Sequence, residues 1–471
     1  MNDSYNSPLA SRYASKQMLA LFSPQKRVET WRRLWLALAR AERELGLPIS
    51  AEQIRELEAH LTDIDFVDAA QKEKEIRHDV MAQIAVYGKA APLAAGILHL
   101  GATSCYVTDN GDLILYRDGL RILREELLKL LKNLSVFADR YKNTPTLGYT
   151  HYQPAQLVTV GKRATLWMQD LLSDLEELDF VLGSMRLLGC RGTTGTEASF
   201  LELFDGDEEK IDELNHRIAA EFGFSSCYPV CGQNYPRKFD SRLMNCLSAV
   251  AQSSYRMAQD IRLLQHDRQL EEPFEDNQVG SSAMAYKRNP MRCERICSLS
   301  RYLMVEAINA PLTASAQWLE RTLDDSANRR LSLPEGFLCA DAILHLAQNV
   351  SAHLKVNEKI IARSVHEYLP FIATENLLME AVRRGGDRQQ LHEIIRRCSM
   401  EATEKRNNGE PCDLLALLAE NPEFHMRETE MRKILEPGDY IGRCPRQVEQ
   451  FLDRLRPLLE AVPFARTELD L

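Results

Sequence analysis

Regularly spaced apolar residues in the middle of the chain constrain its fold more than any other feature. From 157 to 182, and again from 243 to 264, an apolar residue recurs at the spacing of one helix face. These residues are Leu157, Val160, Ala164, Trp167, Leu171, Leu175, Leu178 and Leu182, then Leu243, Leu247, Val250, Met257, Ile261 and Leu264. Runs of about 27 residues give helices about 40 Å long. Helices of that length predict a bundle.

The rest of the sequence divides around this bundle. Short amphipathic patterns over 31–45 and 51–61 precede it, and charged helical patterns follow it. Because strand signals are few, the predicted fold class is all-α. A chain of 471 residues is long enough for two or three domains. We expect an N-terminal helical domain over 1–110, a central long-helix bundle domain over 111–356 and a C-terminal helical domain over 357–471.

Composition and charge exclude several classes of function. The net charge of -10 argues against general nucleic-acid binding. No apolar run is long enough to span a bilayer, which argues against a membrane partner. The first residues lack a basic region followed by an apolar one, and the eleven cysteines are an odd number scattered through apolar segments. We therefore expect reduced thiols in a cytoplasmic protein, without a zinc site.

The strongest chemical signal is a polar loop over 280–294 that begins Gly280-Ser281-Ser282 and continues to Lys287, Asn289 and Pro290. Asparagine followed by proline predicts a helix start at this point. Helix N-termini attract anions, and Lys287, Arg288, Arg292 and Arg295 add positive charge. We expect a site for a carboxylate or a developing oxyanion with a hydroxyl beside it. A solvated turn is the alternative.

Two other segments carry groups suited to acid–base chemistry or anion binding. Thr150 and His151 lie just before a predicted long helix, where a histidine can act as a general acid or base near neutral pH. Gly101 permits an unusual turn, after which Thr103 and Ser104 offer hydroxyl and N–H groups to an anion. A purely structural histidine is the alternative for His151.

Three further segments contain candidate ligand contacts. Arg12-Tyr13 can bind a phosphate, because a guanidinium binds phosphate with two donors and the phenol adds another. The segment 320–330 offers Arg321, Ser326 and Arg330 if a turn gathers them. The pair His78-Asp79 opens a helical pattern, and a structural role is the alternative there.

These segments resemble, in order, three signature regions of the fumarase/aspartase superfamily. The matching regions are Gly101-Ala102-Thr103-Ser104, Thr150-His151-Tyr152-Gln153-Pro154 and the loop from Gly280, in which Ala285 replaces the usual proline. The segments around Arg12-Tyr13, Arg77-His78-Asp79 and 321–330 are similar to the branch of the superfamily that cleaves succinyl nucleotides. The similarity extends from Pro8 nearly to the C-terminus.

The resemblance implies a three-domain lyase fold and a reaction that releases fumarate by breaking a C–N bond. The implied substrates are adenylosuccinate, which gives AMP, and succinyl-aminoimidazole carboxamide ribotide, which gives AICAR, both in purine biosynthesis. The implied partner is the chain itself, as a homotetramer whose helices form one central bundle and whose active sites each use three subunits. No metal or organic cofactor is implied.

The resemblance also assigns roles to individual residues. It makes Ser281 the general base and His151 the general acid, with Lys287 and His78 as further catalytic residues. The residues that it places around the substrate are Arg12, Tyr13, Arg77, His78, Asp79, Thr103, Ser104, Thr150, Gln233, Lys287, Asn289, Arg295, Arg321, Ser326 and Arg330.

Two alternatives remain at this stage. One is another fumarate-releasing lyase of the superfamily, of the argininosuccinate lyase or fumarase type. The other is a non-enzymatic structural protein recruited from such a lyase. The presence of Ser281, Lys287 and His151 favours an enzyme.

Overall fold

The computed structural model describes residues 3–275, 278, 282–465 and 467. Helices dominate this part of the chain, which confirms the predicted all-α class. No helix among the described residues is long and apolar enough to cross a membrane.

The N-terminal region consists of short helices whose starts are set by polar caps. Its helices are α1 (Lys16–Leu21), α2 (Pro24–Glu44), α3 (Ala51–Ala59), α4 (Phe66–Ile76) and α5 (Asp79–Ala90). Ser15, Ser23 and Ser50 each accept a hydrogen bond from a backbone N–H of the first helical turn. His78 does the same for α5, so the prediction that His78-Asp79 opens a helix is confirmed.

The central region contains the predicted long helices. They are α6 (Ser104–Arg140), α7 (Val160–Ser184), α8 (Ala198–Leu203), α9 (Glu208–Glu221), α10 (Lys238–His266), α11 (Met291–Glu306), α12 (Asn309–Ser315) and α13 (Asp324–His353). Helix α6 packs on α7 and α13, while α10 packs on α7, α11 and α13. The apolar stripe of α10 is buried from Leu243 to Leu264, as its spacing predicts. Burial of this stripe against neighbouring helices holds the bundle together.

The prediction that the apolar stripe of α7 begins at Leu157 is wrong. Leu157 is buried, but it lies in a β-hairpin formed by β1 (Pro145–Thr150) and β2 (Gln153–Thr159). The helix begins only at Val160, because the hydroxyl of Thr159 caps it by accepting from the N–H of Lys162. Leu157 is buried as a strand residue directly before the buried residues of the helix. Apolar spacing alone therefore does not show where the strand ends and the helix begins.

The C-terminal region has a small apolar core of its own. Its helices are α14 (Glu358–Ile372), α15 (Thr374–Arg383), α16 (Arg388–Asn407), α17 (Leu414–Ala419), α18 (Glu428–Ile434) and α19 (Cys444–Leu459). Leu377, Leu391, Leu418 and Phe424 are among the residues of this second core. Helix α19 instead packs on α6 and α7, and the short strands β3 (Leu270–Glu271) and β4 (Lys355–Val356) pair antiparallel.

Candidate active site

A cleft of about 760 Å³ lies where α2, the α4–α5 junction, the start of α6 and the start of α13 meet. We call it the central cleft. Nine of the residues predicted to surround a substrate line it: Arg77, His78, Asp79, Thr103, Ser104, Gln233, Arg321, Ser326 and Arg330. The structure therefore gathers segments that are far apart in sequence into a single concave surface, as expected of a small-molecule site.

The imidazole of His78 is oriented by two hydrogen bonds. Its Nδ1 accepts from the backbone N–H of Met81 at 3.3 Å, and its Nε2 lies 3.3 Å from the Ser104 hydroxyl. Because Nδ1 is an acceptor, the proton of the neutral ring is on Nε2, which donates to Ser104. The Asp79 carboxylate lies 3.8 Å from Nδ1. The ring is thus held with its Nε2–H group pointing toward the Ser104 hydroxyl.

The turn before α6 places Thr103 and Ser104 in the central cleft. His99 and Gly101 both have positive φ, at 63° and 66°. A Cβ atom on Gly101 would lie 2.8 Å from Leu203 and 2.9 Å from Phe200, so a side chain at this position would clash with α8. Burial lowers the pKa of His99 to about 4, and its Nδ1 accepts from the indole N–H of Trp35 at 2.9 Å. The neutral His99 fixes the turn.

Guanidinium groups also line the central cleft. Arg330 is 61% exposed and donates to Asp79 at 3.0 Å, while Arg321 donates to both oxygens of Asp325 at 2.9 and 3.0 Å. Arg27 also lines the central cleft, and sequence reasoning missed it because it lies inside an ordinary amphipathic helix. An imidazole, hydroxyls and several guanidinium groups in one cleft suit a ligand with more than one anionic group.

A buried ion-pair network under the central cleft was also missed by sequence reasoning. Arg237 donates to both oxygens of Asp109 at 2.9 and 3.1 Å and to Asp325 at 2.6 Å. All three side chains are buried. Burial alone would raise the pKa of Asp325, but Arg237 and Arg321 outweigh burial and hold this pKa below its usual range. Asp325 thus ties the buried network to Arg321 in the cleft wall.

Arg12, Tyr13 and Arg295 form a second group, which does not line the central cleft. The guanidinium of Arg295, on α11, lies over the ring of Tyr13 with its carbon 5.6 Å from the ring centre. That of Arg12 lies 6.0 Å from the same ring. The structure therefore brings together three of the predicted contacts from distant parts of the chain, on a surface of their own.

Thr150 and His151 form a third group at the tip of the β1–β2 hairpin. His151 and Tyr152 make up the two-residue turn, with φ values of 52° and 58°. Two consecutive positive φ values are typical of the tight turns that join antiparallel strands, but they are strained for residues other than glycine. The side chain of His151 is exposed. The turn thus presents the imidazole outward from the chain.

The predicted polar loop is only partly described. Gly280 and Ser281 lie outside the described residues, while Lys287 is exposed. The prediction that Asn289 caps the following helix is wrong. Helix α11 begins at Met291 after Pro290, and its first N–H groups, of Arg292 and Cys293, both donate to the buried carboxylate of Glu272 at 2.9 Å.

This contact also overturns the predicted anion site at the start of α11. The Glu272 carboxylate is the anion that the helix N-terminus binds, so those N–H groups are already used. Arg292 is buried and donates to Glu275 at 2.6 Å and to the carbonyl of Pro273 at 3.0 Å. Its charge is therefore neutralised inside the protein, whereas Lys287 stays exposed.

Among the residues that the structure describes, no group of three or more histidine, cysteine, aspartate or glutamate side chains could hold a metal ion. Each of the eleven cysteines, all of which are described, is a free thiol.

Two family models match the chain. The "Lyase" model matches residues 22–304, and the "Adenylosuccinate lyase C-terminus" model matches residues 370–451. The first match covers the part of the central cleft that lies before residue 304, and the second covers the C-terminal core.

Individual proteins match over almost the full chain. Adenylosuccinate lyase of Saccharomyces cerevisiae is 49% identical over 457 residues, covering 96% of this chain and 95% of the relative. That of Schizosaccharomyces pombe is 49% identical over 455 residues, covering 96% and 94%. The solved structure of a 3-carboxy-cis,cis-muconate lactonizing enzyme from Pseudomonas putida shares the fold, with a TM-score of 0.84, 22% identity and coverage of 96% and 99%. The chain therefore belongs to the adenylosuccinate lyase family.

Proposed function

We propose that this chain is an adenylosuccinate lyase, a carbon–nitrogen lyase that releases fumarate from adenylosuccinate and from succinyl-aminoimidazole carboxamide ribotide. The products are AMP and AICAR, respectively. The observation that carries the proposal is the central cleft, whose lining includes His78 and Ser104 together with Arg321, Ser326 and Arg330. A succinyl nucleotide has carboxylates at one end and a phosphate at the other, and both need cationic or N–H partners.

The reaction needs a base, a stabilised carbanion and an acid. The base, Ser281, takes the proton from the carbon beside a carboxylate, and the electron pair moves into that carboxylate. A serine hydroxyl is a poor base at pH 7, so it must react as an alkoxide stabilised by nearby amides and the Lys287 ammonium. Lys287, Asn289, Thr103 and Ser104 hold the added charge.

The second step breaks the C–N bond and forms the double bond of fumarate. The departing nitrogen takes a proton from His151, the general acid. His78 stays beside the succinyl group, where its N–H to Ser104 keeps the hydroxyl oriented. We assign Arg77, Asp79, Gln233 and Arg295 to the succinyl and base contacts. Arg321, Ser326 and Arg330 hold the phosphate from the central cleft, and Arg12 and Tyr13 reach it when subunits assemble. We assign Thr150, which is exposed beside His151, to the substrate contacts as well.

We further propose a homotetramer whose active sites each use three subunits. Within one chain neither His151 nor Lys287 lines the central cleft and both are exposed, and the group of Arg12, Tyr13 and Arg295 lies outside that cleft as well. An apolar band also lies exposed between α11 and α13: Val305, Ile308, Leu312, Trp318, Leu319 and Leu323 are each more than half exposed. Apolar surface of this extent favours burial against other subunits, and symmetric assembly would supply the missing groups.

The remaining assignments follow from the same proposal. Eleven free thiols favour the reducing cytoplasm. The partners are succinyl nucleotides and the chain itself, with neither nucleic acid nor membrane, and the acid–base mechanism requires no metal. The N-terminal, central and C-terminal domains remain those predicted over 1–110, 111–356 and 357–471.

The test is turnover of both succinyl nucleotides by the purified protein, with Ser281→Ala as the decisive variant. We expect wild type to convert both substrates and Ser281→Ala to bind them while losing turnover, because a methyl group cannot take a proton. Ser282→Ala is the control and should be milder. If Ser281→Ala kept more than about a tenth of the activity, equivalent to a barrier change below ~1.4 kcal/mol, the base assignment would be wrong. No turnover by wild type would favour another lyase or a structural protein.

A further inference from the structure

The segment that carries Arg12 and Tyr13 is a single wide turn held at both ends. Over Leu9–Tyr13 the chain closes a turn in which the N–H of Ala14 donates to the carbonyl of Leu9 at 2.9 Å. Such wide turns are frequent at functional sites. At its start, Leu9 is buried, whereas Arg12 is exposed. The apolar contact of Leu9 fixes only one end of the turn, so the other end needs its own support.

Asp341 supplies that support from α13. One of its carboxylate oxygens accepts from the backbone N–H of Ser15 at 2.6 Å, and the other accepts from the Ser15 hydroxyl at 3.1 Å. The same hydroxyl accepts from the N–H of Met18 and caps α1. Asp341 is fully buried, and hydrogen bonds to a buried carboxylate are stronger than neutral ones. Two such bonds fix the chain two residues after Tyr13.

The Asp341 carboxylate is itself held by charged neighbours. Its oxygen lies 3.5 Å from Nε2 of His345, one turn along α13, and that nitrogen lies 3.9 Å from Glu126 on α6. Burial alone would lower the pKa of His345, but Asp341 and Glu126 outweigh it and Lys129 opposes them, so the pKa is raised. Glu126 also accepts from Gln348 at 2.7 Å. The carboxylate therefore has a fixed position between two long helices.

We infer that Asp341, held by His345, is a positioning residue that fixes the Arg12–Tyr13 turn for the phosphate of the substrate. It touches no substrate, and it acts through Ser15. This inference rests on the proposed function for the identity of the anion, but the Ser15–Asp341 contact stands independently of it. An unsupported turn would leave Arg12 and Tyr13 in many conformations, which weakens binding by the entropy of ordering them.

The test combines two variants that weaken the contact, one that restores it, one control, and readouts with and without turnover. In Asp341→Asn the new NH2 group faces a donor of Ser15, so one of the two bonds is lost. Ser15→Ala removes the hydroxyl from the other side, and Ser15→Thr restores it. Asn349→Ala is the matched control. Asn349 is buried on the same helix, but its amide nitrogen donates to the carbonyl of Thr467 and not to the Arg12–Tyr13 segment.

Three measurements apply to each variant: KM and kcat with adenylosuccinate, dissociation constants for AMP and for adenosine, and hydrogen exchange of the amides over 9–15. For Asp341→Asn and Ser15→Ala we expect KM and the AMP dissociation constant to rise about tenfold, the loss of roughly one charged hydrogen bond. Adenosine binding and kcat should change less than twofold, and exchange over 9–15 should accelerate. Ser15→Thr and Asn349→Ala should behave as wild type.

The outcomes separate this inference from the proposed function. An equal loss of AMP and adenosine affinity, or unchanged exchange over 9–15 in both variants, would overturn the positioning role while leaving any turnover by wild type intact. Faster exchange with unchanged AMP binding would overturn it as well. If wild type turned over neither nucleotide, the proposed function would fail. Faster exchange over 9–15 with a selective loss of AMP affinity would still support the positioning role of Asp341. If Asp341→Asn failed to fold, Ser15→Ala alone would decide.

Discussion

The floor of the central cleft and the exposed tip of the hairpin differ in how firmly they hold their functional groups. In the floor, Arg237 makes three hydrogen bonds to two buried carboxylates. Arg329, beside it, donates to Asp240 at 2.7 Å and to Asp112 at 3.0 Å. These side chains keep one geometry because leaving any of them unpaired would strand a buried charge.

The tip is different in every respect. The side chain of His151, at the tip, is exposed and makes no hydrogen bond to another residue in the described part of the chain. The same is true of the Lys287 side chain, in the polar loop before α11. What is fixed at the tip is the backbone, through the two positive φ values of His151 and Tyr152. The difference teaches that one chain fixes the side chains of the cleft floor but leaves those of His151 and Lys287 exposed. In the proposed tetramer, other subunits complete the surroundings of these exposed groups.

The largest effect is expected at the tip. His151→Ala should lower kcat by about 10²–10⁴-fold with little change in KM, because it removes the general acid and no binding contact. Steady-state kinetics with adenylosuccinate measure both constants. His392→Ala, which removes an exposed histidine from α16, is the control and should leave kcat unchanged. A similar kcat for wild type and His151→Ala would mean that the presented imidazole is not the acid.

Mixing subunits sharpens this result. Inactive His151→Ala and Ser281→Ala proteins, dissociated, mixed in equal amounts and reassembled, should regain activity if the two groups come from different subunits. Random assembly gives about one working site in four. Mixed tetramers that regain no activity would place both groups in one subunit.

The next effect is expected in the cleft floor. Asp325→Asn removes the carboxylate that pairs with Arg321 and one of the two that pair with Arg237, and it should lower the free energy of unfolding by about 3 kcal/mol. Its stabilising charge is present above the ordinary aspartate pKa and is lost as pH falls, so the difference from wild type should shrink in acid. Urea unfolding at several pH values measures it. The neighbouring exposed Asp324→Asn should have almost no effect, and equal losses in the two variants would contradict the network's importance.

Glu42 tests the same link between burial and charge, but its effect on stability has the opposite dependence on pH to that of Asp325. Both oxygens of Glu42, on α2, are buried and make no hydrogen bond to the residues that the structure describes, and burial raises the pKa of Glu42 to about 9. The folded protein keeps a proton that the unfolded chain releases above 4.5, so stability falls as pH rises between these values.

Glu42→Gln should therefore stabilise the protein by an amount that grows by up to about 1.4 kcal/mol per pH unit from pH 5.5 to 8. Thermal or urea unfolding across that range measures it. Glu44→Gln, at an exposed position of the same helix, is the control and should show no such growth. A constant difference between wild type and Glu42→Gln would mean that Glu42 is already charged in the folded state.

The smallest effect is expected at the rim of the central cleft. Arg330 is mostly exposed and pairs with Asp79. Because the phosphate does not react, Arg330→Ala should raise KM about five- to tenfold with kcat nearly unchanged. Arg383→Ala, at an exposed position of α15, should leave both constants alone. Equal KM values for wild type and Arg330→Ala would remove Arg330 from the site.

The sequence by itself determined the long helices and the identity of the candidate residues. Apolar spacing predicts α10 because each residue of its stripe reports on the same helix face, which is a local property. The His78 cap and the hydroxyl turn at Thr103-Ser104 are local for the same reason. The hairpin around His151 is not predictable in the same way, because a short polar segment before an apolar stripe is compatible with a hairpin as well as with a helix start.

Only the tertiary structure decided which distant groups meet. Asp109 and Arg237 are 128 residues apart, and Ser15 and Asp341 are 326 apart, so no spacing predicts either pair. The same holds for Glu272, which occupies the helix start that the sequence assigned to a ligand. Apolar periodicity fixes which face of a helix is buried but not its neighbour, and each buried charge then takes the partner that packing places within hydrogen-bonding distance.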